Sequence, residues 1–243
     1  MFKLPASQYG GACTFLQAAS VFWCAVEMDA RTIASYDDGA AQYCDEWLSQ
    51  PPADDLQRLW REFFAPGRPT ADIGSGSGRD VDWLNRHGYP CVGWDASLGL
   101  IDEARQRFPR RRFEASSLPQ LVEVLSGAYA NVVCETVIMH LDPSGVTSAV
   151  GALRRILAPH GTLYLSWRVS GDGDSRDSAG RLYSSFDTDS VRAALAGMTM
   201  LYDSEETSAS SRKRVHRLVA RADAGLAARK GDSMHAVPVQ SAG

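Results

Sequence analysis

Between Thr70 and Asp80 the chain reads Thr-Ala-Asp-Ile-Gly-Ser-Gly-Ser-Gly-Arg-Asp. A short β-prone run enters three alternating glycines and leaves on residues that open a helix. Glycine adopts left-handed dihedrals freely and lets another group approach the backbone. Such a junction belongs to α/β chains whose parallel strands carry ligands beyond their carboxyl ends. Counted from Gly74, the third glycine of a G-x-G-x-x-G dinucleotide fingerprint would fall on Arg79, so the turn fits a pyrophosphate cradle badly. Asp95 follows a second strand-like run, about 20 positions after Gly74, where an acid grips ribose hydroxyls. The plainer reading is a turn from another nucleotide binder plus an unrelated surface acid; Asp95 at this spacing favours the nucleoside.

The surrounding pattern agrees. Strand-like runs at 70–73, 91–94, 112–115, 129–134 and 162–167 alternate with helical spacing at 81–87, 98–108, 118–125 and 145–157. Strands alternating with helices predict a mostly parallel sheet covered on both faces. Before it, 33–48 reads as one amphipathic helix and 54–64 as a second, stopped by Pro66, Gly67 and Pro69. After it come a polar loop at 171–180, a helix at 187–196 and two late strands, 198–203 and 212–221.

With 243 residues, 22% charged and a net charge of −4, the chain is an ordinary globular one. The acidic balance argues against a protein that coats nucleic acid. Cys13, Cys24, Cys44, Cys91 and Cys134 are dispersed, which predicts free thiols in a reducing compartment rather than disulfides or a metal site. The uncharged stretch Leu4–Val26 contains Pro5, Gly10 and Gly11 and makes a poor spanning helix or leader. The expected organisation is an upstream extension over 1–28, with Met28 as the natural start, a domain over 29–221, and a disordered tail over 222–243. The expected location is the cytoplasm, as a monomer or homodimer off the membrane.

Ala71–Asp80, with Asp72 leading into the glycines, resembles the cofactor turn of class I S-adenosylmethionine-dependent methyltransferases. Asp95 matches that family's ribose acid. Phe113-Glu114-Ala115-Ser116-Ser117-Leu118-Pro119 is similar to its adenine-side segment, with Ser116 where an aspartate is usual. Cys134–Leu141 matches the end of the fourth strand, preceded by Asn131 where aspartate is common. Leu157–Leu163 matches the turn into the fifth, with His160 for a usual glycine. The resemblance covers roughly Ile33 to Arg168. It implies a Rossmann-like, doubly wound α/β fold with a seven-stranded sheet. It implies S-adenosylmethionine held by Tyr36, Asp72, Gly74, Ser75, Gly76, Asp95, Ala96, Ser97, Ser116, Ser117, Leu118 and Glu135. Tyr36, Tyr43 and Trp47 would lie over the cofactor, with Trp47 read rather as core.

The sulfonium methyl is already activated, so the protein must mainly align the acceptor and exclude water. His140 is the neutral-pH base that the motif places best. Arg168, Arg181 and Tyr183 follow the fifth strand and suit an anionic or planar heteroaromatic acceptor. The expected reaction is methyl transfer to a nitrogen or oxygen of a small, planar, polar molecule of specialised metabolism. One alternative is RNA or other nucleic-acid methylation, against which the chain lacks an Asn/Asp-Pro-Pro-aromatic run after the fourth strand. Another is a non-catalytic partner protein of the same fold. Arg110-Arg111-Arg112 and Arg212-Lys213-Arg214 read as solvated turn charge.

Overall fold

The computed structural model describes residues 27–169, 171 and 173–224; the expected extension to position 26 and the tail from 225 lie outside them. Strands β1 (Thr70–Ile73), β2 (Cys91–Asp95), β3 (Arg112–Ala115), β4 (Tyr129–Cys134) and β5 (Leu157–Arg168) pair in parallel in the order β3-β2-β1-β4-β5. A two-residue hairpin, β6 (Ser175–Arg176) and β7 (Leu182–Tyr183), stands apart, and antiparallel β8 (Met198–Thr207) and β9 (Arg214–Ala222) complete seven strands in the order β5-β9-β8. The strands are apolar on both sides because both faces are covered. Val132, Leu163 and Leu218 face one core; Val133, Tyr164 and Val219 face the other. Helices α3 (Asp54–Phe63), α4 (Arg79–Arg86) and α5 (Leu98–Arg107) cover the second core; α6 (Pro143–Ile156) and α7 (Thr188–Ala194) cover the first.

β1 lies between β2 and β4, which is the switch point of the sheet, and the crevice beyond its end is where such folds take ligands. The expected helix over 33–48 is two helices, α1 (Ala30–Asp38) and α2 (Ala40–Leu48), divided at Gly39. α2 packs on α5 through Ala40, Cys44 and Leu100. Asp37 accepts hydrogen bonds from Ser97 Oγ (2.6 Å) and Gly99 N (2.9 Å), tying α1 to the start of α5.

The expected helix over 118–125 does not form. Leu118, Leu121 and Val124 are buried, and Leu121 takes a φ of 50° to get there. The carbonyls of Leu121 and Val124 are held by Arg155 of α6, at 2.7 and 2.9 Å, instead of by a helical ladder. The loop expected over 171–180 runs into the β6–β7 hairpin, whose Leu182 amide donates to Thr32 Oγ1 at 2.9 Å. Ala222, expected in the tail, is paired with Met198 and buried, and Met28, expected in the extension, bridges Leu141. Cys44, Cys91 and Cys134 are buried free thiols; Cys13 and Cys24 lie outside the described residues.

Candidate functional site

A cleft with an empty volume of about 1200 Å³, counting the space open at its mouth, runs along the carboxyl ends of β2, β1 and β4 to that of β5. Its floor is the glycine turn. Gly74, Gly76 and Gly78 have φ of +77°, +51° and +78°, which strains any side chain there. A Cβ on Gly74 would come within 2.2 Å of Val137, and one on Gly76 within 3.0 Å of Trp47. Trp47, read from the sequence as core, is half-buried and lines the cleft over the turn.

Asp95 ends β2 and accepts from Gly76 N at 2.8 Å and Ser97 N at 2.9 Å, one bond on each carboxylate oxygen. Each oxygen keeps a further lone pair for a ligand hydroxyl. Ser75 Oγ is buried beside it with no partner among the described residues. Backbone without side chains, an orphaned buried hydroxyl and a buried carboxylate form a cradle that suits a nucleoside. At the adenine-side segment, Ser116 lines the cleft and donates to Glu123 at 2.6 Å. The charge missing at Ser116 thus stands on its hydrogen-bond partner Glu123, seven positions later, which motif order did not reveal. Leu118 and Ala96 line the same end; Ser117 does not, its hydroxyl being turned onto the Leu118 carbonyl at 2.8 Å.

Deeper in, Asp72, Asp80, Asp95 and Glu135 share one wall, with Arg79 the cation beside them. Burial pushes the Asp72 carboxyl well above the ordinary range, and the fields of Asp80, Asp95 and Glu135 add to it. Burial also raises Asp95 and Glu135. Glu135 accepts from Tyr164 Oη at 2.5 Å and from Ser166 Oγ through the same oxygen. Such a wall favours a cation.

The other end of the cleft is built by a short 3₁₀ turn at Ile138–His140, helix α1, and Arg168 at the end of β5. His140 is 4% exposed; its Nδ1 lies 2.5 Å from the Leu182 carbonyl and its Nε2 2.9 Å from Tyr36 Oη. Burial pushes its pKa down to about 4, opposed by the Leu182 hydrogen bond and aided by Arg181 and Arg168. Tyr36 lines the cleft, and burial raises its phenol. Arg181 and Tyr183, expected to grip an acceptor, stand behind this layer. Arg181 pairs with Asp177 at 2.7 Å and packs over the rings of Tyr36 and Tyr43; Tyr183 packs against His140. Both positions lie on or beside β7, and neither lines the cleft. The β8–β9 turn also brings Ser208, Ser210 and Ser211 to the rim, because β8 runs parallel to β5. Their distance in sequence from every motif hid them.

Residues 71–165 match the family model of a methyltransferase domain. No curated protein matches the chain. Among solved structures, 1,6-didemethyltoxoflavin-N1-methyltransferase of Burkholderia thailandensis, with its substrate and S-adenosylhomocysteine bound, is 17% identical with a TM-score of 0.64, over 80% of this chain and 88% of its own. Magnesium protoporphyrin IX methyltransferase of Synechocystis PCC 6803, with S-adenosylmethionine bound, is 18% identical with a TM-score of 0.56, over 79% and 90%. The 4+2 cyclase SpnF is 16% identical with a TM-score of 0.63, over 82% and 98%. At these identities the likeness shows the fold, seven strands with helices on both faces.

Proposed function

We propose that this chain, whose residues 71–165 match a methyltransferase domain, is a class I S-adenosylmethionine-dependent enzyme that transfers the methyl group to a nitrogen or oxygen of a small, planar, polar molecule of specialised metabolism. The observation that carries this is the two-ended cleft. The Gly74–Gly78 turn and Asp95 suit a nucleoside at one end, and Tyr36, His140 and Arg168 border a second space at the other. Two neighbours of the same fold act on a toxoflavin precursor and on a porphyrin, which supports a small acceptor. The basic clusters are partly spent within the protein: Arg111 is paired with Asp82, Arg112 with Glu114 and Arg214 with Glu205, which is half of their six cations.

The cofactor supplies a methyl group already activated on a sulfonium. Asp95 would take the ribose hydroxyls, Ser116 and Leu118 would border the adenine, and the wall of Asp72 and Glu135 would face the cationic part. Ile33 and Tyr36 of α1 and Trp47 of α2 line the cleft, and alignment of acceptor and methyl there would contribute about 7–11 kcal/mol in favourable cases. Tyr36 Oη faces the acceptor space and, backed by His140 Nε2, takes the acceptor's proton where there is one to lose.

Calorimetry with S-adenosylmethionine, then labelled cofactor with fractionated small-metabolite pools, tests the reading. Binding lost in Asp95→Ala and label in a small organic product are expected. Label in bulk tRNA, rRNA or DNA at a matching rate overturns the acceptor class. No binding at millimolar cofactor favours a partner role instead.

A further inference from the structure

The arginines around the cleft are mostly committed to the protein's own carboxylates. Arg79 contacts Asp80 at 3.1 Å, Arg176 contacts Asp29 at 2.7 Å and Arg181 contacts Asp177 at 2.7 Å. Arg168 differs. It stands at the end of β5, half-buried, and lines the acceptor end of the cleft. Among the described residues no carboxylate forms an ion pair with it. Its guanidinium donates from Nη1 to Tyr183 Oη at 3.4 Å and rests 5.4 Å from the centre of that ring.

The nearby acids are engaged elsewhere. Asp177 is held by Arg181, and Tyr183 Oη lies 3.5 Å from it. Glu205, which borders a small neighbouring pocket together with Arg168, is held by Arg214 and lies 3.7 Å from His216 Nδ1. The four acids of the cleft line its other wall, where Arg79 stands beside Asp72 and Asp80 and the field of Arg217 acts on Glu135. The field of Arg168 falls instead on Tyr36, His140 and Tyr183. The cleft is therefore polarised: an acidic wall at the cofactor end and a guanidinium without its own anion at the acceptor end. A planar, half-buried guanidinium fork matches an oxyanion in geometry and charge.

We propose that the acceptor carries an oxyanion, a carboxylate or a phosphate ester, and that Arg168 binds it, so that the atom to be methylated comes to rest beside Tyr36 and His140. This rests on the methyl-transfer reading of the cleft. It assigns anion recognition to Arg168 and leaves Arg181 the task of holding Tyr36 and Tyr43 in place. Seating an anion against Arg168 also cancels one of the two positive fields, Arg168 and Arg181, that act on His140 against Asp177. The imidazole therefore becomes a better proton acceptor when the acceptor arrives.

The test titrates the protein saturated with S-adenosylhomocysteine against benzoate, phenyl phosphate and benzamide, by calorimetry. At least one anion is expected to bind tenfold or more tightly than benzamide, and the preferred anion identifies the source of the oxyanion. Arg168→Gln is expected to lower that anion to the benzamide level without changing S-adenosylhomocysteine affinity. Arg168→Lys should keep part of the preference, and Arg181→Gln should keep the ratio of anion to amide. Equal binding of benzamide, no binding of either anion, or undiminished anion binding in Arg168→Gln overturns the proposal. If S-adenosylhomocysteine itself fails to bind, the methyl-transfer reading falls instead, and the same titrations on the unsaturated protein still decide the role of Arg168.

Discussion

The hydroxyl of Tyr36 and Nε2 of His140 lie 2.9 Å apart, joining helix α1 to the turn after β4. The partner of Nδ1 is the Leu182 carbonyl, which only accepts, so Nδ1 carries the ring proton and Nε2 takes the phenol's. Both groups are neutral at pH 7: burial holds the imidazole down and the phenol up. A proton leaving the acceptor can enter the phenol oxygen as the phenol passes its own to Nε2. Tyr36→Phe keeps the ring packing and removes that route. It is expected to lower kcat roughly 10²-fold for an acceptor that loses a proton, with S-adenosylhomocysteine affinity within about twofold. Steady-state kinetics beside calorimetry checks it; an unchanged kcat would remove Tyr36 from the proton's path.

His140 also leaves a signature in stability. Its folded pKa of about 4 lies below the ordinary 6.5, so as pH falls the unfolded chain takes a proton that the folded one refuses. Stability from this group is present above 6.5 and is lost between 6.5 and 4. Between pH 7 and pH 5 the loss is about 2 kcal/mol. His140→Gln abolishes that contribution, so its urea midpoint should fall less than the wild type's over the same interval. Parallel slopes for the two proteins would show that the imidazole titrates normally.

The parts of the fold that were legible in the sequence are those where chemistry restricts the residue. Gly74, Gly76 and Gly78 sit at positive φ, and strands buried on both faces are continuously apolar, so the turn, the alternation and Asp95 could be read directly. Apolar spacing alone misled at Leu118, Leu121 and Val124, because a turn held by Arg155 buries the same residues as a helix. It also missed the break at Gly39. Arg181 and Tyr183 were read by nearness to a strand end, but in the β6–β7 hairpin Arg181 packs over Tyr36 and Tyr43 and Tyr183 packs against His140, which no local pattern shows. Ser208, Ser210, Ser211 and Glu123 reach the cleft or its edge through topology, which leaves no local pattern.

Asn131 stands where related chains often have aspartate, yet it lies at the opposite rim from the cleft. It is fully buried, its Oδ1 accepts from Ala65 N at 2.9 Å, and its Nδ2 donates to Ala65 O and Thr70 Oγ1, both at 3.0 Å. It clamps the segment between α3 and β1. A carboxylate cannot donate, so Asn131→Asp strands the Ala65 carbonyl beside a buried charge, even where the Thr70 hydroxyl turns to donate. We expect a loss of about 1–3 kcal/mol, seen as a lower Tm, with cofactor affinity per folded molecule unchanged. Lost affinity in a protein of unchanged Tm would tie Asn131 to the site instead.

Asp72 sets stability against binding most directly. It is 3% exposed, shares its wall of the cleft with Asp80, Asp95 and Glu135, and burial raises its carboxyl well above the ordinary range. For a carboxyl raised in the folded state, the stability present at low pH is lost as pH rises past the unfolded value toward the folded one. Ionised Asp72 therefore costs the ligand-free protein stability at neutral pH, and a bound cation recovers it. Asp72→Asn keeps the shape and removes the charge. The ligand-free variant should melt higher than wild type at pH 8, with the gap narrowing as pH falls toward the ordinary carboxyl range. Saturating S-adenosylmethionine should raise Tm less in the variant, because stabilisation by a ligand follows its affinity. A variant that melts lower than wild type at pH 8 and gains as much from the cofactor would show Asp72 to be a structural acid whose charge the cofactor does not meet.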